Sequence, residues 1–358
     1  MVRLGDICTK QASNIKQSDL TENEGIYPIF GASGFIKNVD FYQQEKPCVA
    51  VVKDGAGVGR VIKLPAYSSA IGTMQYIIPN PGIDSSYLAY LLEYLNLSRY
   101  YTGATIPHIY FKDYSKEQII LHSEEEQRKI TRVLDHVCNL ISMRKQQLAK
   151  LDELVKARFV EMFGDPIYND KCFPRESLAS LGLLERGRSQ HRPRNAPELL
   201  GGNYPLIQTG EVADAGLFIT AYHNTYSELG LKQSRMWKAG TLCITIAANI
   251  AQTAILTFDA CFPDSVVGFI SGHRIDAIYM HYWFSFFQKI LEEQAPQVAQ
   301  KNINLKTLSE LKVIVPPKEL LEAFCEFVAQ VYGTRQNIWQ SLEKLETLKR
   351  ALMQEYFG

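Results

Sequence analysis

Paired cysteines are missing from this sequence of 358 residues. Its seven cysteines stand at 8, 48, 138, 172, 243, 261 and 325, with no Cys-x-x-Cys among them. Such scatter suggests neither a zinc site nor a disulfide framework, and it fits buried free thiols in a reducing cytoplasm. Long apolar runs are missing too. No stretch reaches the roughly 18 uncharged apolar residues of a membrane span. The densest, Ile278 to Phe287, is shorter and contains His281. The opening residues, Met1 to Asp6, carry no apolar core of the secretory type. Charge of one sign is also lacking, because 38 Lys and Arg balance 38 Asp and Glu. A neutral chain does not coat nucleic acid by charge alone, although a small basic patch can still read base edges. No low-complexity tract is long enough to suggest disorder.

Catalytic signatures are equally scarce. There is no Walker motif, no His-Glu-x-x-His, no Phe-x-Gly-x-Gly cofactor loop and no Asn/Asp-Pro-Pro-Tyr/Phe motif. Val315 to Lys318 reads Val-Pro-Pro-Lys, but it stands at a helix entry. Seven histidines are scattered without ligand spacing, so no metal site is expected. The loop Gly55-x-Gly57-x-Gly59 lacks the Lys-Ser/Thr of a phosphate loop and the downstream acid of a dinucleotide site. A turn that needs positive φ explains it equally well. With Lys53 and Arg60 beside it, a turn approaching DNA phosphates is the functional alternative.

What is present is a repeat. Residues 151–164 and 345–358 agree at six of fourteen positions: Leu, Leu, Ala, Glu, Phe and Gly recur at an offset of 194. At the same offset Ile119, Ile120 and Leu121 match Val313, Ile314 and Val315. Length alone suggests about two domains, and 46% apolar residues suffice for a core in each. The repeated segments also share a 3,4 spacing of apolar positions. In the first copy it runs through Ile130, Leu134, Val137, Ile141, Leu148 and Leu151. In the second it runs through Val328, Val331, Ile338, Leu342, Leu345 and Leu352. Such spacing over about five heptads predicts a coiled-coil seam. Ser123-x-x-Glu126 and Pro316-Pro317 supply the helix entries. A helix of about 40 residues is a rod of roughly 60 Å, which spans roughly 18 base pairs. The seam either packs on its own domain or, as preferred here, joins the two helices as an antiparallel pair. The charged breaks are staggered, Arg144 against Ile338 and Ile141 against Arg335, which would bias the register.

The segments between are β-rich. Val49–Val52, Val61–Leu64 and Gln75–Ile78 read as strands, followed by a helix from Tyr87. Leu242–Ile246, Thr253–Leu256 and Val266–Phe269 repeat the order before a helix from Ile278. The fold class is therefore α+β, as two β-rich globular domains separated by long helices. The expected division is 1–118, 119–165, 166–312 and 313–358. The strongest local charge is the loop Arg186, Arg188, Gln190, His191, Arg192 and Arg194. Arginines there suit phosphates and guanine edges, and a solvated surface loop is the plain alternative.

Three short stretches complete a pattern: Ile207 to Val212, Phe262 to Gly268, and Gln300 to Leu305. In this order, on a duplicated frame, the whole chain resembles the specificity subunit of type I restriction–modification systems. The resemblance implies two target-recognition domains that each read half of a bipartite double-stranded DNA site. It implies helices that act as a ruler and as the dock for two methyltransferase subunits, and a separate motor–nuclease subunit. S-adenosylmethionine would sit in the methyltransferase and not in this chain, and the chain alone would self-associate. Lys53, Arg60, Arg188, Arg192, Arg194 and Lys301 would hold phosphates, and Gln190, Thr209, Gln300 and Asn302 would reach base edges. The rival reading is a coiled-coil scaffold that joins two protein-interaction domains without DNA.

Overall fold

The computed structural model describes residues 1–103, 107–247, 250–294 and 303–358. They form two compact units, one of Met1–Gln146 with Trp339–Gly358, the other of Gln147–Ile338. The boundary cuts both long helices, so each unit owns a β-rich body and a piece of each helix.

In the first unit the central sheet runs Cys8–Ala12, Met74–Pro79, Cys48–Val52, Val61–Leu64, all antiparallel. Cys48–Val52 is buried throughout, which explains its unbroken apolar sequence. Successive side chains point to opposite faces. Val49 and Val51 pack with Leu88 and Leu91 of the helix Ser85–Tyr94. Ala50 and Val52 join Leu64, Met74 and Tyr76 on the other face. A three-stranded sheet of Gly34–Val39, Tyr27–Gly31 and Ser69–Ala70 completes the body. Asp84 caps the helix, accepting from the Tyr87 amide at 2.8 Å.

The second unit repeats the logic with more strands. Its five-stranded sheet runs Gly182–Arg186, Val266–Ser271, Leu242–Thr245, Thr253–Leu256, Phe218–Ile219. Leu242 and Ile244 face the helix Ala277–Gln294, while Cys243 faces Trp237 and Phe262. A four-stranded sheet of Asn224–Tyr226, Leu200–Leu206, Ala260–Cys261 and Met236–Trp237 covers that second face.

The duplication survives in single contacts. The Tyr87 hydroxyl donates to the Ile120 carbonyl at 3.1 Å, and the Tyr279 hydroxyl donates to that of Ile314 at 3.0 Å. Phe357 packs on the Tyr87 ring at 5.4 Å, and Phe163 on the Tyr279 ring at 5.0 Å. These four residues stand at matching places in the two repeats. Yet Phe163 ends the helix that follows the first domain, and it closes the second unit. Phe357 ends the helix that follows the second domain, and it closes the first.

Both long helices have 40 residues, Glu124–Phe163 and Lys318–Phe357. The first begins with a reciprocal cap. The Ser123 amide donates to Glu126 Oε2 at 3.1 Å, and the Glu126 amide to Ser123 Oγ at 3.4 Å. The Ser123 hydroxyl, which donates to Glu126 Oε2 at 3.0 Å, and the Ser123 amide together hold the Glu126 carboxyl below its ordinary range. Ser123→Ala is expected to cost about 1 kcal/mol. A urea midpoint that does not move would show that the cap is idle. Gly164, at φ +74°, ends the helix in the left-handed conformation that glycine accepts without strain.

Within each unit the helix pieces run antiparallel. In the first, Ile130 and Leu134 meet Met353 and Phe357 in one core, and Lys145 bridges to Glu346 at 3.0 Å. In the second, Val155 and Phe159 meet Phe324 and Val328, and Asp152 pairs with Arg335. Arg335, a polar break in the heptad pattern, thus faces an acid of the opposite helix. Ile130, Leu134, Val137, Leu148, Val328 and Leu342 are buried. Ile141, Leu151, Val331, Ile338, Leu345 and Leu352 are half-buried. The seam is shared, because the same positions pack on the other helix and on the domain cores.

Candidate nucleic-acid interface

The two basic regions singled out from sequence fall in different units. In the first, Lys53 leaves the central strand and pairs with Asp54 at 3.8 Å. Asp54 also contacts His108. Arg60 donates from Nη1 to the Ala32 carbonyl at 2.6 Å and remains exposed. The glycines between them are structural. Gly55 and Gly59 have φ of +89° and +85°, and a Cβ on Gly59 would lie 2.4 Å from the Ser98 amide nitrogen.

In the second unit Arg188, Gln190, Arg192 and Arg194 share one loop beside the strand Gly182–Arg186. Gln190 and Arg188 are exposed, and Arg188 has no ion-pair partner among the described residues. Gln233 pins the loop, its Oε1 accepting from the Gln190 amide at 2.7 Å and the His191 amide at 3.1 Å. Arg192 and Arg194 are not free cations. Arg192 Nη2 lies 3.5 Å from Asp264 Oδ2, and Arg194 Nη2 lies 2.5 Å from Asp264 Oδ1. The second contact is an ion pair without hydrogen-bond alignment, so that oxygen makes no proper hydrogen bond. Arg186 Nε donates to the Asp264 carbonyl at 3.0 Å. Asp264 drew no attention in the sequence, since it lies 72 positions from Arg192. Its only signal is membership of the Phe262 to Gly268 stretch.

Thr209 is half-buried at the start of the short helix Thr209–Asp214. Its near neighbour Glu211 accepts from the Gln208 amide at 3.2 Å and lies 3.2 Å from His223 Nδ1. Among the described residues no hydrogen bond or ion pair is seen between Thr209 and the arginine loop. Gln300, Lys301 and Asn302 lie outside the described residues.

The thiols are mostly core atoms. Cys8, Cys48, Cys243 and Cys261 are buried. Burial pushes the Cys8 and Cys48 thiols up to about 12, away from nucleophilic chemistry. Cys172 departs from the sequence expectation of buried thiols and is exposed. It follows the helix end in a turn at φ +56°. Among the described residues no group of His, Cys, Asp and Glu is placed to hold a metal ion. No described helix is long and apolar enough to cross a membrane.

The sequence profile of the type I restriction modification DNA specificity domain matches this chain twice, over residues 1–153 and 182–355. The chain belongs to this family. Each match takes in one β-rich body and most of the long helix that follows. The type I restriction enzyme MjaVIII specificity subunit of Methanocaldococcus jannaschii is 23% identical, over 99% of this chain and 90% of its own length. The MjaIX specificity subunit of the same organism is 24% identical, over 77% and 69%. Among solved structures, the S subunit of a type I restriction–modification system from M. genitalium superposes with a TM-score of 0.64. That match covers 100% of this chain and 95% of that one, at 14% identity. A chain from a structure of type I system assembly and conformational transition gives 0.56 at 14% identity, covering 99% and 96%. These superpositions show the specificity-subunit fold.

Proposed function

We propose that this chain is the non-catalytic DNA-reading subunit of a type I restriction–modification enzyme. One observation carries the reading: the specificity-domain profile matches twice, once on each repeat of the duplicated frame. Each domain reads one half of a bipartite site on double-stranded DNA, through loops such as that of Arg188 to Arg194. Two methyltransferase subunits dock along the long helices, which leave Val133, Met143, Leu154, Val160, Trp339 and Leu348 exposed to solvent. The methyltransferase subunits hold S-adenosylmethionine, and the target adenine is flipped out of the duplex into them. A motor–nuclease subunit completes the enzyme, which works in the cytoplasm. Without its partners the chain self-associates through the uncovered apolar positions.

The test is a methylome. Co-expression of this chain with its neighbouring methyltransferase gene should create a bipartite motif of methylated adenines, mapped by single-molecule sequencing. Deletion of this chain alone should abolish the motif. Methylation that persists unchanged would leave the scaffold reading in its place.

A further inference from the structure

The largest cluster of arginines in the second domain is neutralised from within. We propose that Asp264 occupies, in the free protein, the place of a DNA phosphate between Arg192 and Arg194, and is exchanged for phosphate only in the sequence-specific complex. The inference rests on the DNA-reading function above.

Three observations support the exchange. First, the backbone that carries Asp264 is fixed and the arginines are borne by a loop. Asp264 sits in a tight turn, where the Val266 amide donates to the Pro263 carbonyl at 3.0 Å, and Arg186 holds the Asp264 carbonyl. Arg192 and Arg194 come from the loop opposite, so movement of the loop alone breaks both pairs. Second, the arginine side of the pairs is open to water, although Asp264 Oδ1 itself is covered. The side chains of Arg192, Arg194 and Asp264 are 57%, 47% and 30% exposed. Ion pairs with side chains this exposed are weak, and a phosphate is an equivalent partner for a guanidinium. Third, the closed loop is not fully satisfied. Ser189 Oγ and Gln233 Nε2 are buried without a hydrogen-bond partner. Each such group destabilises the closed arrangement, and an opened loop relieves it.

The exchange separates two kinds of binding. On random DNA, contacts to phosphate supply nearly all the affinity. There the two new phosphate contacts are offset by two lost pairs, and the loop stays closed. On the correct half-site, Arg188 and Gln190 of the same loop gain base contacts, which tip the balance towards opening. A chain of zero net charge then has little hold on the wrong sequence.

The experiment uses the full chain purified with its methyltransferase, on two duplexes: one carrying the motif mapped by methylome, one of random sequence. The slope of log affinity against log salt is measured, since each neutralised phosphate contributes about 0.9 to it. Asp264→Asn should steepen the random-sequence slope by about two, which is roughly 16-fold in affinity over a fourfold change of salt. Arg192→Gln combined with Arg194→Gln, in the otherwise native chain, should flatten the slope on the motif by about two and leave random binding unchanged. This second variant keeps the test sound if Asp264→Asn disturbs the loop. Equal flattening on both duplexes would make the arginines ordinary phosphate contacts and overturn the exchange, as would no flattening on either. A native complex that binds neither duplex would overturn the DNA-reading function and the exchange together.

Discussion

Phe163→Ala should lower the unfolding free energy of the unit Gln147–Ile338 by about 3–5 kcal/mol. The ring is fully buried at the tip of the first long helix. Phe159, Tyr279 and Phe324 surround it at centroid distances of 4.9, 5.0 and 5.3 Å. Alanine removes both the apolar area and these edge-to-face contacts, and three aromatic neighbours cannot easily collapse on the void. Trp237 and Trp283 are buried in the same unit, so tryptophan fluorescence during urea unfolding reports on it. Leu154→Ala, on the same helix but 47% exposed, is the control. A midpoint shift for Phe163→Ala no larger than that of the control would show that the helix tip does not close this core.

Acidification should weaken the same unit through His281. Its ring lines a cavity of about 280 Å³ with Asp152, Lys156, Tyr282 and Arg335, and Nδ1 lies 3.0 Å from Thr253 Oγ1. Desolvation holds its pKa down to about 4, with Lys156 adding to the effect against the Thr253 bond. The folded state therefore keeps the ring neutral where the unfolded chain protonates it near 6.5. Between pH 6.5 and 4 the unfolded state binds more protons, so stability falls as pH falls through that window. The full loss is about 3 kcal/mol, reduced where the half-buried ring meets water on the cavity side. Other carboxylates titrate at the lower end, so the measurement is a difference between the native chain and His281→Gln. The variant should lose the descent between pH 6.5 and 5. A variant that follows the native curve would assign the descent to other groups.

Local patterns made much of this architecture legible. The 3,4 spacing located both long helices, and Ser123 with Glu126 marked the start of the first to the residue. The strand Cys48–Val52 was visible as Val49–Val52, because a strand covered on both faces is apolar at every position. Trading of the helix tips was hidden. Phe163 and Phe357 sit at equivalent places in the repeat, and nothing in their own segments says which domain each will enter. The arginine loop was conspicuous for the opposite reason, since four arginines in nine residues stand out in a neutral chain. Its neutralisation by Asp264 was invisible, because ion pairs between distant segments leave no periodicity. Thr209 shows the limit of reading single polar residues, as its hydroxyl shares a short helix with the acid Glu211.

The traded helix tips also set an order of birth. A ribosome releases the first domain early, with Ile130 and Leu134 following soon after. Part of the surface that covers them, Met353 and Phe357, is made much later: Phe357 trails Leu134 by 223 residues. At about 5–20 residues per second that gap lasts roughly 10–45 seconds. Throughout it the first domain holds an unfinished apolar face, while the second, whose pieces are all contiguous from Gln147 to Ile338, can close ahead of it. The domain begun first is thus the one finished last, and the growing chain most needs a chaperone at its oldest end.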